Sequence, residues 1–184
     1  MLTPKQWDSL TNHVRSKLDH YYDPSVIFAE AKDLRPQLEL RHKGFYVGFD
    51  DSRGKPILRE GFLKDDMPNV LQSADQVLDN VYSTMRNQSI PVSKVHTGTF
   101  HFTVITESTY MPNPTAWNEN RDGVYFMWGQ DYRALYLPYQ IKGMNLNKIE
   151  VLDRLCSWEA GVAANLWRLP EGLVFELTCH SHSA

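Results

Sequence analysis

The feature that most constrains this chain is a turn, Asp50-Asp51-Ser52-Arg53-Gly54, set between two strand-like runs. Residues 44–49 (Gly-Phe-Tyr-Val-Gly-Phe) are aromatic and β-branched, and residues 56–62 form the return run. A short turn rich in Asp, Ser and Gly folds such neighbours back as an antiparallel hairpin. A second pair repeats the arrangement. Residues 123–128 (Gly-Val-Tyr-Phe-Met-Trp) and 134–137 (Ala-Leu-Tyr-Leu) flank Gly129-Gln130-Asp131-Tyr132. Strands that come as hairpins, not as strand-helix-strand units, predict an α+β fold with a mixed, mostly antiparallel sheet flanked by helices. No Gly-x-Gly-x-x-Gly or Gly-x4-Gly-Lys-Ser/Thr string supports a doubly wound nucleotide fold.

Helices are expected between these runs. Trp7, Leu10, Val14 and Leu18 recur at intervals of three and four, with Thr3 as N-cap and Pro4 in the first turn. Asp23-Pro24 ends that helix, because a residue before proline avoids the α region. A short helix is expected over 25–31, followed by a break at Arg35-Pro36. The longest periodic series is Val70, Leu71, Ala74, Val77, Leu78, Val81, Tyr82 and Met85, between Pro68 and Pro91. Residues 99–106 read as a strand. Tyr110-Met111-Pro112-Asn113-Pro114 cannot stay in a ladder, since proline donates no hydrogen bond. Helix returns over Ile149, Leu152, Leu155, Cys156 and Ala160, near Gly161, and residues 172–178 read as a last strand.

The chain of 184 residues carries 19 Lys and Arg against 22 Asp and Glu, a net charge of −3. A general nucleic-acid surface is disfavoured by that sign, and apolar runs are too short for the roughly 20 residues a membrane helix needs. Two cysteines are too few for a disulfide framework, so reduced thiols and a cytoplasmic setting are expected. Residues 1–184 read as one domain or two tightly joined subdomains, with 1–40 a helical N-terminal extension.

The titratable clusters each have an ordinary reading. Cys179, His180 and His182 fall short of the four ligands of a structural zinc site, so no metal and no cofactor are expected, and the tail is expected to fray. His96 and His101 are five apart and, on one strand, would face opposite ways. Cys156 reads as a small core residue. Asp65 and Asp66, beside Glu60, read as helix-capping carboxylates. Arg59 and Glu60 are adjacent on a strand and point to opposite faces. The proline-stiffened loop 112–118 offers Trp117 as a binding anchor.

The succession Asp122-Gly123-Val124, Gly129, Leu135-Tyr136-Leu137-Pro138, Gln140, Leu152-Asp153-Arg154-Leu155-Cys156, Glu159-Ala160-Gly161 and Trp167 resembles the AMMECR-type domain, a family with no settled activity. Gly44-Phe45-Tyr46-Val47 resembles its first glycine-led strand. Order and spacing hold from about Gly44 to Phe175. Two departures stand out. Where the family has the hexapeptide Leu-Arg-Gly-Cys-Ile-Gly, this chain reads Leu58-Arg59-Glu60-Gly61-Phe62-Leu63, without the cysteine. Where the family has lysine before Ala-Gly, it has Glu159.

The resemblance implies a curved, partly closed sheet with helices outside, and a Memo-like or radical-SAM protein as partner. It also implies a cleft lined by Arg59, Glu60, Trp117, Asn118, Asp122, Tyr139 and Gln140. There Arg59 would hold an anionic group and Trp117 its flat part. The leading expectation is therefore a binding or adaptor module for a small molecule or protein. One alternative is a small hydrolase with Glu60 or Asp66 as base and His101 as partner. Another is a nucleic-acid-associated accessory protein, which requires a contiguous basic face.

Overall fold

A computed structural model describes residues 2–28 and 38–184. The elements run α1 (Pro4–Tyr22), β1 (His42–Asp50), β2 (Pro56–Met67), α2 (Val70–Asn87), α3 (Val92–Thr97), β3 (Thr99–Tyr110), β4 (Gly123–Trp128), β5 (Tyr132–Tyr136), α4 (Pro138–Met144), α5 (Lys148–Arg154) and β6 (Gly172–Ser183). The strands follow the order β2-β1-β3-β6-β4-β5, and the pairs β1/β2, β4/β5 and β4/β6 are antiparallel. This is the α+β architecture, with an antiparallel sheet flanked by helices, that the hairpin spacing implies. The chain divides into two compact units. One holds the described residues up to Val104 together with His180–Ala184; the other holds Ile105–Cys179.

In the first unit the apolar periods meet as the sequence dictates. Leu10, Val14 and Leu18 of α1 are fully buried, as are Phe45, Val47 and Phe49 of β1, Leu78 and Val81 of α2, and Phe100, Phe102 and Val104 of β3. Each such side chain contributes about 1.5–3 kcal/mol by leaving water. The α1 helix therefore belongs to this core and does not hang off it as an extension. Its start is a capping box. The Gln6 amide N–H donates to the Thr3 hydroxyl, and the Thr3 N–H donates back to Gln6 Oε1.

Several expectations are corrected here. Residues 25–28 are not helical: the chain turns at Pro24-Ser25, where the Asp23 carboxylate takes hydrogen bonds from the Ser25 N–H at 2.9 Å and its hydroxyl at 2.6 Å. The remainder of that segment and the Arg35-Pro36 break lie outside the described residues. Strand β2 runs on to Met67, so Asp66 sits in the strand and faces Arg41. The cap of α2 is Asn69, whose Oδ1 accepts from the Leu71 and Gln72 amides. His96 lies on α3 and His101 on β3, so they share no strand. The tail does not fray. Ala184 and Phe100 exchange backbone hydrogen bonds of 3.0 and 2.8 Å, which carries β6 five residues past its expected end at 178.

In the second unit Trp117, Val124, Phe126, Tyr136, Leu152, Leu155, Cys156 and Val174 form the core. The helix expected across 149–160 is two pieces. Regular α5 passes at Leu155–Glu159 into a π-helical turn, where the Ala160 N–H reaches the Leu155 carbonyl at 3.0 Å. Gly161, at φ 71°, then takes the left-handed conformation that ends the turn.

Candidate functional site

The seven residues of the expected cleft divide between the units: Arg59 and Glu60 in the first, Trp117, Asn118, Asp122, Tyr139 and Gln140 in the second. Arg59 opposes Gly48 and Glu60 opposes Val47 in an unbroken stretch of the β1/β2 register, so the two side chains do point to opposite faces. Glu60 accepts a 2.7 Å hydrogen bond from the Thr84 hydroxyl of α2. Trp117 is not an outward anchor. It is 1% exposed and packs in the second unit's core, while the Lys148 ammonium lies over its ring and donates to its carbonyl. Gln140 spends its side-chain oxygen on the Leu137 N–H at the start of α4.

Asp122 is fully buried and works inside the unit. It accepts from Arg121 Nε at 2.8 Å and Arg121 Nη2 at 3.1 Å, and from the Asn118 N–H at 3.2 Å. Burial alone would raise its pKa, but these hydrogen bonds, chiefly that of Arg121, outweigh it and hold the carboxyl below its ordinary range. Glu176 on β6 shares a hydrogen bond with Asp122. That bond, more than its burial, pushes Glu176 up. Burial likewise raises the two thiols, Cys156 to about 11 and Cys179 to about 12. Neither is a thiolate poised for attack. Among the described residues no group of three or more His, Cys, Asp or Glu side chains could hold a metal ion.

The surface built most like a recognition site lies on α5 and the π-helical turn. Trp158 is 72% exposed, far out of line for the largest apolar side chain. The Arg154 guanidinium lies 3.9 Å from its ring centroid, the four-residue spacing that brings helical neighbours together. Beside it, Asp153 accepts from Trp167 Nε1 at 2.7 Å and pairs with Arg168 at 3.5 Å, and Arg168 lies 4.4 Å over the Trp167 ring. The Arg168–Trp167 stack is thus anchored on the Asp153 carboxylate. The Ser157 hydroxyl donates to the Asp153 carbonyl, which ties the π turn to α5. Single π turns in helices concentrate at functional positions. The signal was readable: Arg and Trp four apart on an amphipathic helix. The apolar residues between them, Leu155 and Cys156, point to the core and mask it.

His101 does not meet Glu60 or Asp66. Its ring nitrogens are held by Ser183 and Asp50. His13 and His42 are structural. His13 and Lys17 both bond the Asp75 carboxylate at 2.8 Å, and buried His42 bridges the Leu40 carbonyl and the Ser73 hydroxyl.

Among the described residues no helix is long and apolar enough to cross a membrane. No protein-family model matches the chain, and no curated protein does either. Its fold is similar to that of a solved structure described as an uncharacterised protein, PH0010, from Pyrococcus horikoshii. The TM-score is 0.79 at 17% identity, covering 99% of this chain and 93% of that one.

Proposed function

We propose that the chain is a recognition domain of AMMECR type that binds an acidic segment of a partner protein through Trp158 and Arg154. The observation that carries the reading is an exposed indole braced on one face by a guanidinium. Tryptophan and arginine are the side chains that dominate protein interfaces. The stack already immobilises both, so little rotamer entropy is lost on binding. Among the described residues Arg154 has no carboxylate partner, and its N–H groups suit a carboxylate next to a flat or apolar side chain. The site falls inside the Leu152–Gly161 stretch that carries part of the family resemblance. The α+β fold agrees with that resemblance. The free, buried cysteines go with a reducing cytoplasmic setting.

Selection of a random displayed-peptide library on the whole chain tests this. Sequences pairing Asp or Glu with an aromatic residue or proline are expected to be enriched. Calorimetry should then show binding weakened at least about tenfold, roughly 1.4 kcal/mol, in Trp158→Ala and in Arg154→Gln. Both variants should keep their folding stability within about 0.5 kcal/mol, as exposed substitutions do. Enriched peptides that bind either variant as tightly as the parent would refute the reading, as would a selection that enriches nothing.

A further inference from the structure

Three strands of the first unit place Asp50 (β1), His101 (β3) and Ser183 (β6) in one hydrogen-bonded row. Ser183 Oγ lies 2.8 Å from His101 Nδ1, and His101 Nε2 lies 3.0 Å from Asp50 Oδ2. A carboxylate only accepts, so Nε2 carries the proton and donates it to Asp50. Nδ1 of the neutral ring is left as the acceptor for the Ser183 hydroxyl. Nucleophile, base and orienting acid therefore stand in the order that activates a serine, with the two ring nitrogens exchanged relative to the familiar arrangement. The side chains of His101 and Asp50 are 14% and 18% exposed, and Ser183 is exposed. The acid and base are shielded while the hydroxyl is open to a ligand.

The backbone fixes this row. The reciprocal Phe100–Ala184 hydrogen bonds set β6 against β3 one residue from both Ser183 and His101. Thr103 and Ser181 hydroxyls meet at 3.1 Å on the next rung. Gly98 closes the other side. A Cβ there would stand 2.2 Å from the Phe49 ring and 2.5 Å from the Asp50 carbonyl, so only glycine lets the chain pass this close to Asp50.

We infer that Ser183 is a nucleophile toward activated carboxylic esters, with His101 as its base and Asp50 as a positioning residue. Ser183 Oγ bonds the acyl carbon as its proton passes to Nδ1, and the imidazolium is stabilised by Asp50. The ester's alkoxide leaves and takes the proton from Nδ1. Water, deprotonated by Nδ1, then attacks the acyl-serine and releases the carboxylic acid, restoring the hydroxyl. This activity is independent of the Trp158 surface.

The probe is p-nitrophenyl acetate on the whole chain, read by nitrophenolate release and by peptide mass spectrometry. One acetyl group on Ser183 is expected. Ser183→Ala should lose it, and His101→Gln should slow its formation by roughly a hundredfold, the usual range for a positioned base. A Ser183→Cys variant, treated with iodoacetamide, should be alkylated at that position well before the buried Cys156 and Cys179, and only while His101 is present. For Asp50, nitrogen NMR of the imidazole should show the Nε2–H tautomer in the parent and a mixture in Asp50→Asn. Thermal melts certify that each variant is folded. An unacetylated Ser183 in the folded parent, or acetylation indifferent to His101→Gln, would overturn the inference and leave the row as a cross-strand polar ladder.

Discussion

Trp117 and Trp158 are the same side chain put to opposite uses, at 1% and 72% exposure. Trp117 fills the second unit's core, yet among the described residues its Nε1 has no hydrogen-bond partner. An orphaned buried N–H costs about 1–3 kcal/mol, which offsets part of what the ring contributes by packing. Trp117→Phe keeps an aromatic ring and removes the orphan, so it should change stability by less than about 1.5 kcal/mol. Trp117→Ala opens a cavity and should cost about 3–5 kcal/mol. Urea unfolding of the two variants checks this, and an equal loss in both would show that the indole N–H finds a partner after all. The sequence could not separate these tryptophans. A loop tryptophan just after two prolines looks outward by its neighbours, whereas Trp117 packs into a core completed by residues far along the chain, Leu152 and Val174 among them. Polar roles are hidden the same way: Asp122 is legible as a turn residue beside Arg121, but its bond to Glu176 depends on β6 lying beside β4.

Among the elements, those with a long enough period were legible and short ones were not. Eight apolar positions define α2, and an aromatic and β-branched run ahead of a turn defines β1. The six and seven residues of α3 and α4 give no more than two turns, too few for a 3.6-residue pattern to declare itself. The end of β6 failed for another reason. Cys-His-Ser-His-Ser is polar and looks like a solvated tail, whereas Ser181 and Ser183 bond Thr103 and His101 across the ladder, and His182 stacks 5.5 Å from Trp7. Cap assignment tests how finely local sequence must be read. Asp66 and Asn69 compete for the start of α2 on composition, and geometry selects Asn69. Asn69→Ala should therefore lose about 1 kcal/mol, while Asp66→Ala, whose 3.5 Å contact to Arg41 is solvent-exposed, should lose no more than a few tenths. Paired thermal melts decide it. A larger loss at Asp66 would return the cap to the strand end.

For the molecule as a whole, the carboxylates decide how stability follows pH, and they do not all act in one direction. Asp75 in the first unit and Asp122 in the second are both held below the ordinary range. Burial opposes this in each, and is outweighed by hydrogen bonds from His13 and Lys17 at Asp75 and chiefly from Arg121 at Asp122. A depressed carboxyl stabilises the fold above its unfolded pKa of about 3.9, and that contribution is lost as pH falls through the folded value. Glu176 has the contrary sign. Its pKa is raised, first by the hydrogen bond to Asp122 and then by burial, so the native state prefers it protonated. Its contribution is present below the unfolded glutamate pKa of about 4.3 and is lost as pH rises through the folded value. Arg121, 3.9 Å from Glu176, moderates the repulsion between the two ionised carboxylates without abolishing it. Glu176→Gln keeps an N–H to donate to Asp122 and removes the charge. The variant should therefore melt above the parent at pH 7–8, and the gap should close as the pH drops through 4, where the parent's own Glu176 carries its proton. Melting curves at matched ionic strength from pH 3 to 8 measure the gap. A gap that stays constant over that range would mean that Glu176 and Asp122 do not share a proton in the native state.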